Sequence, residues 1–488
     1  MNIWNHRWIH WLLLTVLLVG SVGGYLIFSQ QTHGLGYPLD DAWIHQTYAR
    51  NLLEYREWSF VPDHPSAGST SPLWTIFLAV GPVVGLNQQL WTYLAGGLVL
   101  LLLAVVCMQW FADRFPEGGR WKWAIGLIVI LEWHLTWASV SGMETLAFAL
   151  LVAVVLWQIT RKLWSPFWIG LLIGVGVWIR PGGLSLIVPV VAAIFTQEKR
   201  RWVSYFVKAC IGIILGIAPY LLFNYWLTGS LWPNTFYAKQ AEYAVHREKS
   251  IILRYLDQFL QPLIGASVLL LPGWVLTTLR DLRKRDLTRL TPFIWVIVFL
   301  GTYAFRLPVI YQHGRYAMPV IPVILVLGFE GLVRWIDLNS SMALKRIISR
   351  FWLLSTFVIL LAYWLIGARS YAQDVAIIET EMVAAANWIA VETEEDAVIA
   401  AHDIGALGFY GKREILDLAG LVSPEVIPII RDEDALQFFL NEHGADYLMT
   451  FPDWYPILSQ VGELVYRSGG TFSPASGGEN MAIYRWGY

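Results

Sequence analysis

Two adjacent carboxylates, Asp40 and Asp41, lie in the segment YPLDDAWIHQTYARNLL, shortly after the first long apolar run of the chain. The residues that follow have the amphipathic spacing of a helix, which puts the pair at a helix start beside a membrane boundary. An acidic pair next to hydrocarbon is electrostatically costly, and this favours a specific chemical role. Capping of the helix is the alternative interpretation, because Asp is a good N-cap residue.

Further charged and polar residues fall on the same side of the membrane, at the ends of other apolar runs or in the outer loops. They are Glu144 in SVSGMET, Arg180 in WIRPGG, Lys239 in SLWPNTFYAK, and His313, Arg315 and Tyr316 in YQHGRYAMP. Each of them alone is consistent with an interfacial anchor. Together they predict carboxylates and cations on one side of a single helical bundle.

This combination suits the transfer of a sugar from a lipid phosphate. The departing phosphate needs cations to hold and neutralise it, a role that Arg and Lys fill with charge-assisted hydrogen bonds. The acceptor hydroxyl needs a base, which a carboxylate supplies. A lipid-linked donor requires no nucleotide-binding fold, and the sequence has no GxGxxG or P-loop motif that opens a helix after a strand.

The composition places these residues in a membrane protein. Apolar residues make up 56% of the 488 positions, only 14% are charged, and the mean hydropathy is +0.52. A soluble protein of this size needs a more polar surface. The net charge of -2 gives no reason to expect a nucleic-acid partner. Cys107 and Cys210 both lie within apolar runs, so no disulfide framework is expected.

Eleven apolar runs are long enough, or nearly so, to cross a bilayer. They are roughly 8–28, 90–111, 123–138, 146–159, 167–179, 184–195, 203–223, 263–279, 292–305, 318–333 and 351–367. The first run lacks a clear cleavage site and is predicted to be a retained helix, with a cleaved signal peptide as the alternative.

The apolar stretch Pro72–Leu86 is shorter, and Pro82 interrupts it. If it does not cross, one side of the membrane holds twice as many Lys and Arg residues as the other, in shorter loops. The positive-inside rule makes the richer side cytoplasmic. We therefore predict that Pro72–Leu86 is re-entrant or interfacial. The loops at 30–89 and 224–262 and the segment from Ser370 onward then face outward.

From Ser370 the composition becomes that of a soluble domain. Helical spacing is seen at Glu379–Val391 and Asp434–His443, short strands are predicted at Ala397–Ala401, Arg413–Leu418 and Tyr447–Thr450, and Ser468–Glu479 is predicted to be a loop. This alternation indicates a small α/β domain. The prediction is a mainly α membrane bundle of about eleven spans at residues 1–369, with the acidic motif in the outer loop 30–89, and an extracytoplasmic α/β domain at 370–488.

Seven segments in order resemble the GT-C superfamily of integral-membrane glycosyltransferases, and within it the bacterial branch that includes the mycobacterial terminal arabinofuranosyltransferase. The match covers nearly the whole chain. The segments are LDDAWIHQTYARNL, AGSTSPLW, SGMET, RPGG, WPNTFYAK, GRYAMPVIP and DIGALGFYGKREILDLAGL.

The resemblance implies roles for the residues named above. Asp40 would be the general base, and Asp41 would orient it or bind acceptor or metal. Glu144 would be a second outer acid. The donor phosphate and substrate would be bound by Arg180, Lys239, His313, Arg315 and Tyr316. Some members of the superfamily use a divalent cation, so Mg²⁺, Mn²⁺ or Ca²⁺ between the three acids is open.

The resulting hypothesis is a glycosyltransferase of a bacterial inner membrane. It would pass a sugar from a polyprenyl-phosphate donor to a glycan, lipid or protein acceptor of the cell envelope, on the outer face, in contact with membrane lipids. A lipid-linked sugar transporter or flippase is one alternative, although its ionisable residues should lie within spans and its halves should show inverted repeats. A non-catalytic scaffold for envelope assembly is the other.

Overall fold

The computed structural model describes residues 7–161, 165–197, 200–336 and 341–487. Lys162 and Lys199, which the charge count assigns to the cytoplasmic side, lie outside the described residues, as does Tyr488 at the end of the predicted soluble domain.

The described part of the chain is mostly helical. In order, the helices are α1 Arg7–Thr32, α2 Asp40–Glu54, α3 Pro72–Val83, α4 Gln88–Arg114, α5 Lys122–Leu131, α6 Trp133–Val140, α7 Thr145–Arg161, α8 Pro166–Val177, α9 Ile187–Gln197, α10 Trp202–Thr228, α11 Asn234–Glu242, α12 Ile251–Leu260, α13 Ser267–Arg283, α14 Leu287–Arg306, α15 Tyr311–Gly314, α16 Ile321–Trp335, α17 Ala343–Ile378, α18 Ala384–Glu392, α19 Glu433–Glu442 and α20 Phe472–Ala475.

Every one of the eleven predicted apolar runs falls on helices of this list, with 123–138 divided between α5 and α6. Within the described residues, six helices are long and apolar enough to cross a membrane, or up to eight if each of two sharply bent pairs forms one span. The chain is therefore a multi-pass membrane protein. The number of crossings stays a prediction, because α7, α8 and α9 are apolar but short.

The membrane helices approach one another closely where small residues meet. A Cβ atom on Gly170 of α8 would lie 2.1 Å from the carbonyl oxygen of Ala209 in α10, and one on Gly212 would lie 2.2 Å from the carbonyl oxygen of Phe167. Only glycine fits at both positions, and close backbone approach of this kind is how helices associate in lipid.

The segment between α1 and α4 holds α2, a hairpin of β1 Ser59–Val61 and β2 His64–Pro65, and then α3. Helix α3 has 12 residues and contains Pro82. At 1.5 Å per residue it is about 18 Å long, which is short of the roughly 30 Å hydrocarbon core. This length agrees with the re-entrant or interfacial prediction for Pro72–Leu86.

A five-stranded sheet forms the carboxyl-terminal region, where three short strands were predicted. Its strands are β3 Val398–Ala401, β4 Glu414–Asp417, β5 Tyr447–Thr450, β6 Glu463–Arg467 and β7 Ala482–Arg485. They are ordered β4-β3-β5-β7-β6, with β3 parallel to both of its neighbours and β7 antiparallel to both of its own. Helices α18 and α19 match the predicted helices, whereas β6, β7 and the short α20 were not predicted.

The boundary between residues 369 and 370 stays a prediction. Helix α17 runs without a break from Ala343 to Ile378, across the proposed boundary. A turn of π-helix at Glu379–Val383 then leads directly into α18. The two predicted domains are thus joined by continuous helix.

Candidate active site

Helix α2 carries the acidic pair, and its two carboxylates point in different directions. Asp41, Ile44 and His45 line a cavity of about 740 Å³. Their spacing of three and four residues puts them on one helix face. Asp40, next to Asp41 in sequence, is not among the residues that line the cavity.

Six of the eight predicted site residues meet at this cavity. They are Asp41, Glu144, Arg180, Lys239, Arg315 and Tyr316. Apolar side chains complete the walls, among them Leu184, Val188, Trp232, Phe236 and Val298. The cavity therefore combines charged side chains with apolar walls, an arrangement suited to an amphiphilic ligand.

Lys239, Arg315 and Tyr316 surround Asp41. The Asp41 Oδ2 atom accepts hydrogen bonds from Lys239 Nζ at 3.2 Å and from the guanidinium of Arg315. The Tyr316 hydroxyl lies 3.3 Å from Lys239 Nζ and 3.2 Å from Arg315 Nη2. Lys239 is on α11, and the other two follow α15, so three separate segments of the chain build this group.

A second ion pair, Arg180 with Glu144, lies on the same cavity wall. Arg180 donates from Nε and Nη2 to Glu144 Oε1, at 3.0 and 2.7 Å. The Nε2 atom of His45 is 3.5 Å from Glu144 Oε2, while its Nδ1 is 3.0 Å from the Thr75 hydroxyl. Thr75 is on α3, so this helix helps to orient the imidazole.

Several buried polar atoms at the cavity have no hydrogen-bond partner among the described residues. They are Nε and Nη1 of Arg315, Nη1 of Arg180 and Oε2 of Glu144. Arg315 and Arg180 are only 4% and 5% exposed. Buried arginine donors left unpaired are costly, so a ligand that accepts hydrogen bonds is expected to bind them. Phosphate oxygens are well suited to this geometry.

The neighbouring cations control the protonation of Asp41. Burial opposes ionisation of Asp41, but Lys239 and Arg315 more than offset it, and the pKa of Asp41 lies well below its usual range. Asp41 is therefore ionised and paired in this structure.

Asp40 and His313 are not brought to the cavity. Both Asp40 carboxylate oxygens accept backbone N–H groups of the carboxyl-terminal domain, from Gly405 at 2.6 Å and Ala406 at 2.8 Å. His313 Nε2 is bonded instead to Asp374 Oδ2 of α17 at 2.8 Å. Buried Asp40, with Asp403 nearby, has a pKa raised above that of an ordinary aspartate.

Sequence reasoning overlooked three cavity residues with charged or titratable side chains, His45, Tyr303 and Arg306. His45 follows Asp41 by one helical turn, so the amphipathic spacing of α2 contained the necessary signal. Arg306 ends α14, with its guanidinium 5.3 Å from the Phe236 ring centroid. From the sequence, Arg306 counted only among the Lys and Arg residues that were compared between the two sides of the membrane.

The residues around Asp41 do not fit a divalent cation. The Asp41 oxygen that would serve as a ligand already faces Lys239 and Arg315, whose charges would repel a metal ion. Glu144 is paired with Arg180, and Asp40 points away. Within the described residues, no group of three or more His, Cys, Asp or Glu side chains is arranged to hold a metal.

Comparison with solved structures identifies the fold. ArnT from Cupriavidus metallidurans bound to undecaprenyl phosphate superposes with a TM-score of 0.63 at 15% identity, covering 96% of this chain and 97% of that one. The apo oligosaccharyltransferase from Archaeoglobus fulgidus gives 0.62 at 10% identity, covering 94% of this chain and 73% of that one. The same archaeal enzyme, AglB, in complex with an inhibitory peptide and a dolichol-phosphate gives 0.58 at 10% identity, covering 92% and 72%. The chain has the GT-C fold.

At the sequence level, a family model described as a domain of unknown function, DUF8728, matches residues 369–484. Comparison with curated proteins gives no match. The predicted GT-C resemblance is confirmed for the fold, while the mycobacterial arabinofuranosyltransferase branch stays a prediction.

Proposed function

We propose that this protein transfers a sugar from a polyprenyl-phosphate donor to a hydroxyl of a cell-envelope glycan, lipid or protein. The observation that carries the proposal is the pair of buried arginines, Arg315 and Arg180, whose free N–H groups border a cavity that also holds the Asp41 carboxylate. The fold supports it, because structures of the same fold contain undecaprenyl phosphate and dolichol-phosphate.

The charges around the cavity favour a phosphate. Four cationic side chains, Arg180, Lys239, Arg306 and Arg315, face two carboxylates, Asp41 and Glu144. This leaves an excess of positive charge, and the cations other than the exposed Arg306 are buried or half-buried, where electrostatic interactions are strong. A polyprenyl phosphate released by sugar transfer carries the compensating negative charge, and its prenyl chain fits the apolar walls.

Asp41 takes the role of base in this mechanism, in place of the sequence-based assignment to Asp40. The acceptor hydroxyl passes its proton to the Asp41 carboxylate while its oxygen forms a bond to the anomeric carbon of the sugar. The bond between that carbon and the phosphate oxygen breaks, and the lipid phosphate leaves with the electron pair. Lys239 and Arg315 neutralise the departing charge. The products are a glycoside and a polyprenyl phosphate.

Donor binding also prepares the base. Without a ligand, Lys239 and Arg315 hold Asp41 in ion pairs that lower its pKa. A phosphate that recruits the same two cations weakens those pairs, so the proton affinity of Asp41 rises when the donor is present. The Oε2 atom of Glu144 lies 3.5 Å from His45 Nε2 but accepts no hydrogen bond from the described residues, so it can accept one from a sugar hydroxyl on the same wall.

The location of the reaction follows from the charge distribution of the loops. The side opposite α2 holds the Lys- and Arg-rich loops, which the positive-inside rule places in the cytoplasm. On this proposal, the cavity and the sheet domain face the outside of a bacterial inner membrane. The acceptor then approaches from the envelope, and the donor enters from the lipid.

The decisive experiment compares wild type with Asp41→Asn in detergent, using a panel of polyprenyl-phosphate sugars and an envelope extract as acceptor. Transfer should fall by about 10³-fold in the variant, since the base is lost while the shape of the side chain is kept. Asp434→Asn, at an exposed position of α19, is the control and should behave as wild type. Wild-type transfer by Asp41→Asn would remove Asp41 as the base, and no transfer from any donor would contradict the function.

A further inference from the structure

The carboxyl-terminal domain grips the amino-terminal end of α2. Asp40, the first residue of that helix, is 8% exposed and accepts the N–H groups of Gly405 and Ala406 at 2.6 and 2.8 Å. These two amides begin a short helical segment, and amides in this position bind carboxylates well. The fit is tight, because a Cβ atom on Gly405 would lie 2.0 Å from the Asp40 carbonyl oxygen.

The same segment grips α2 at two further points. Trp43 packs against the rings of Phe409 and Tyr410, each with a centroid distance of 4.9 Å. Near the other end of the helix, Arg50 donates from Nη1 to the carbonyl of Phe409 at 2.6 Å and from Nη2 to that of Gly408 at 3.2 Å. The helix that carries Asp41 and His45 is thus held along its length by residues 405–410.

The carboxyl-terminal domain also contributes to the cavity wall. Leu421 is one of the residues that line it. The helical turn Pro424–Ile429 packs against α11, the helix that carries Lys239. The two helices that carry Asp41 and Lys239, α2 and α11, therefore both pack against the carboxyl-terminal domain.

We infer that the carboxyl-terminal domain completes the catalytic site, and that Asp40 is a positioning residue through which this domain sets the place of Asp41. The inference rests on the proposed function for its catalytic consequence, but its structural content does not. Asp40 lies off the cavity wall, with both carboxylate oxygens bonded to backbone amides. Its contacts orient the first turn of α2, and Asp41 is the next residue in that turn.

The first test is Gly405→Ala in the full-length protein, which keeps both carboxylates and disturbs only the grip on Asp40. We expect kcat to fall by about 100-fold, the loss that a misplacement of roughly 1 Å produces, while the Kd for the donor changes less than about threefold. Gly469→Ala is the matched control, since an added Cβ atom there meets nothing within 4 Å. A kcat equal to that of wild type in Gly405→Ala would overturn the inference.

Asp40→Asn separates positioning from proton transfer. The amide keeps one acceptor oxygen, so the variant should retain activity well above the background level of Asp41→Asn, and the acidic limb of its kcat/KM profile should stay at the wild-type pH. Background activity together with loss of that limb would make Asp40 the base and overturn the inference.

A measurement without activity makes the failure of this inference distinguishable from failure of the proposed function. Amide hydrogen exchange in α2 should become faster in Gly405→Ala than in Gly469→Ala, whatever reaction the protein catalyses. Should Gly405→Ala fail to fold, Arg50→Met provides the same comparison from the other end of α2, with Arg50→Lys expected to restore part of the protection. Unchanged amide hydrogen exchange in α2 of the folded variants would refute the inference that residues 405–410 hold this helix in place.

Discussion

Two buried arginine–carboxylate clusters lie at opposite ends of the helical bundle, and they differ in whether their hydrogen bonds are complete. At the end of α4 that is distant from α2, Arg114 uses all three guanidinium nitrogens. Nη2 donates to Asp281 at 2.6 Å, Nε to Glu330 at 2.8 Å, and Nη1 to the carbonyl of Arg289 at 3.2 Å. Arg280 supplies further donors to both carboxylates.

In the cluster at the cavity, the hydrogen bonds of the buried guanidinium groups are incomplete. Arg315 and Arg180 are as deeply buried, yet three of their guanidinium nitrogens and one oxygen of Glu144 have no partner among the described residues. A saturated network stabilises the protein that contains it, whereas an unsaturated one that borders a cavity is suited to bind a ligand. The difference therefore separates a structural ion cluster from a candidate catalytic one.

The largest expected effect is on catalysis, in Arg315→Met. This substitution removes the main hydrogen-bond donor to the phosphate. Transfer should fall by about 10³-fold, as it does when an enzyme loses a hydrogen-bond donor to the transition state. The unfolding temperature should fall only slightly, because Asp41 keeps Lys239 as a partner and two of the lost N–H groups made no hydrogen bond to the described residues. Transfer assays and thermal unfolding measure the two quantities, with the exposed Arg431→Met as control. A large fall in the unfolding temperature of Arg315→Met, the same with and without the lipid phosphate, would show that Arg315 has a structural role instead.

Arg114→Met should have the opposite profile. It leaves Asp281 and Glu330 buried with fewer donors, and breaking such a buried pair should cost about 3 kcal/mol in the free energy of unfolding. The transfer rate per folded molecule should change less than about twofold, since this cluster is remote from the cavity. Denaturant titration in detergent and assays of the folded fraction test this. Normal stability with lost activity would refute the distinction between the clusters.

A short lipid phosphate should bind the guanidinium N–H groups of Arg315 and Arg180 that have no partner among the described residues. Farnesyl phosphate at about 100 times its Kd should stabilise the wild-type protein by roughly 2.7 kcal/mol, through binding to the folded state alone. Farnesol, which lacks the phosphate, should have a much smaller effect, and Arg315→Met should abolish the difference between the two. Equal stabilisation by both compounds would show that the cavity recognises only the prenyl chain.

The smallest effect concerns pH. Lys239 and Arg315 hold the pKa of Asp41 well below its usual range, so removal of one cation in Lys239→Met must raise it. A base with a higher pKa is protonated at higher pH, and the acidic limb of kcat/KM should therefore move upward by about one pH unit, equivalent to roughly 1.4 kcal/mol. Lys249→Met, in an exposed ion pair, is the control. A downward shift would exclude Asp41 as the titrating group.

Much of the membrane region was predictable because lipid imposes simple rules. Apolar runs and loop charges are local properties, and the helices follow the predicted runs closely. The meeting of Glu144, Arg180, Lys239 and Arg315 agrees with their prediction on one side of the membrane, at span ends or in loops. The three acids that might share a metal did not converge, since Glu144 pairs with Arg180 and Asp40 turns to another domain.

The divergence of Asp40 and Asp41 could have been foreseen. Neighbouring residues on a helix point about 100° apart, so the two carboxylates cannot face one cavity, whereas Asp41 and His45 can. Two other features had no local signal. His313 has a positive φ of 57° in a tight turn, which directs it away from Arg315, and the Gly405 contact joins residues 365 positions apart.

That separation along the chain has a consequence for biosynthesis. Ribosomes add about 5 to 20 residues per second, so the Gly405 amide is made roughly 20 to 70 s after Asp40. During that interval the membrane helices can insert while α2 still lacks the segment that grips it. The nascent chain is thus expected to occupy the bilayer before it can catalyse the proposed transfer, and a chain that ends before residue 405 should insert without becoming active.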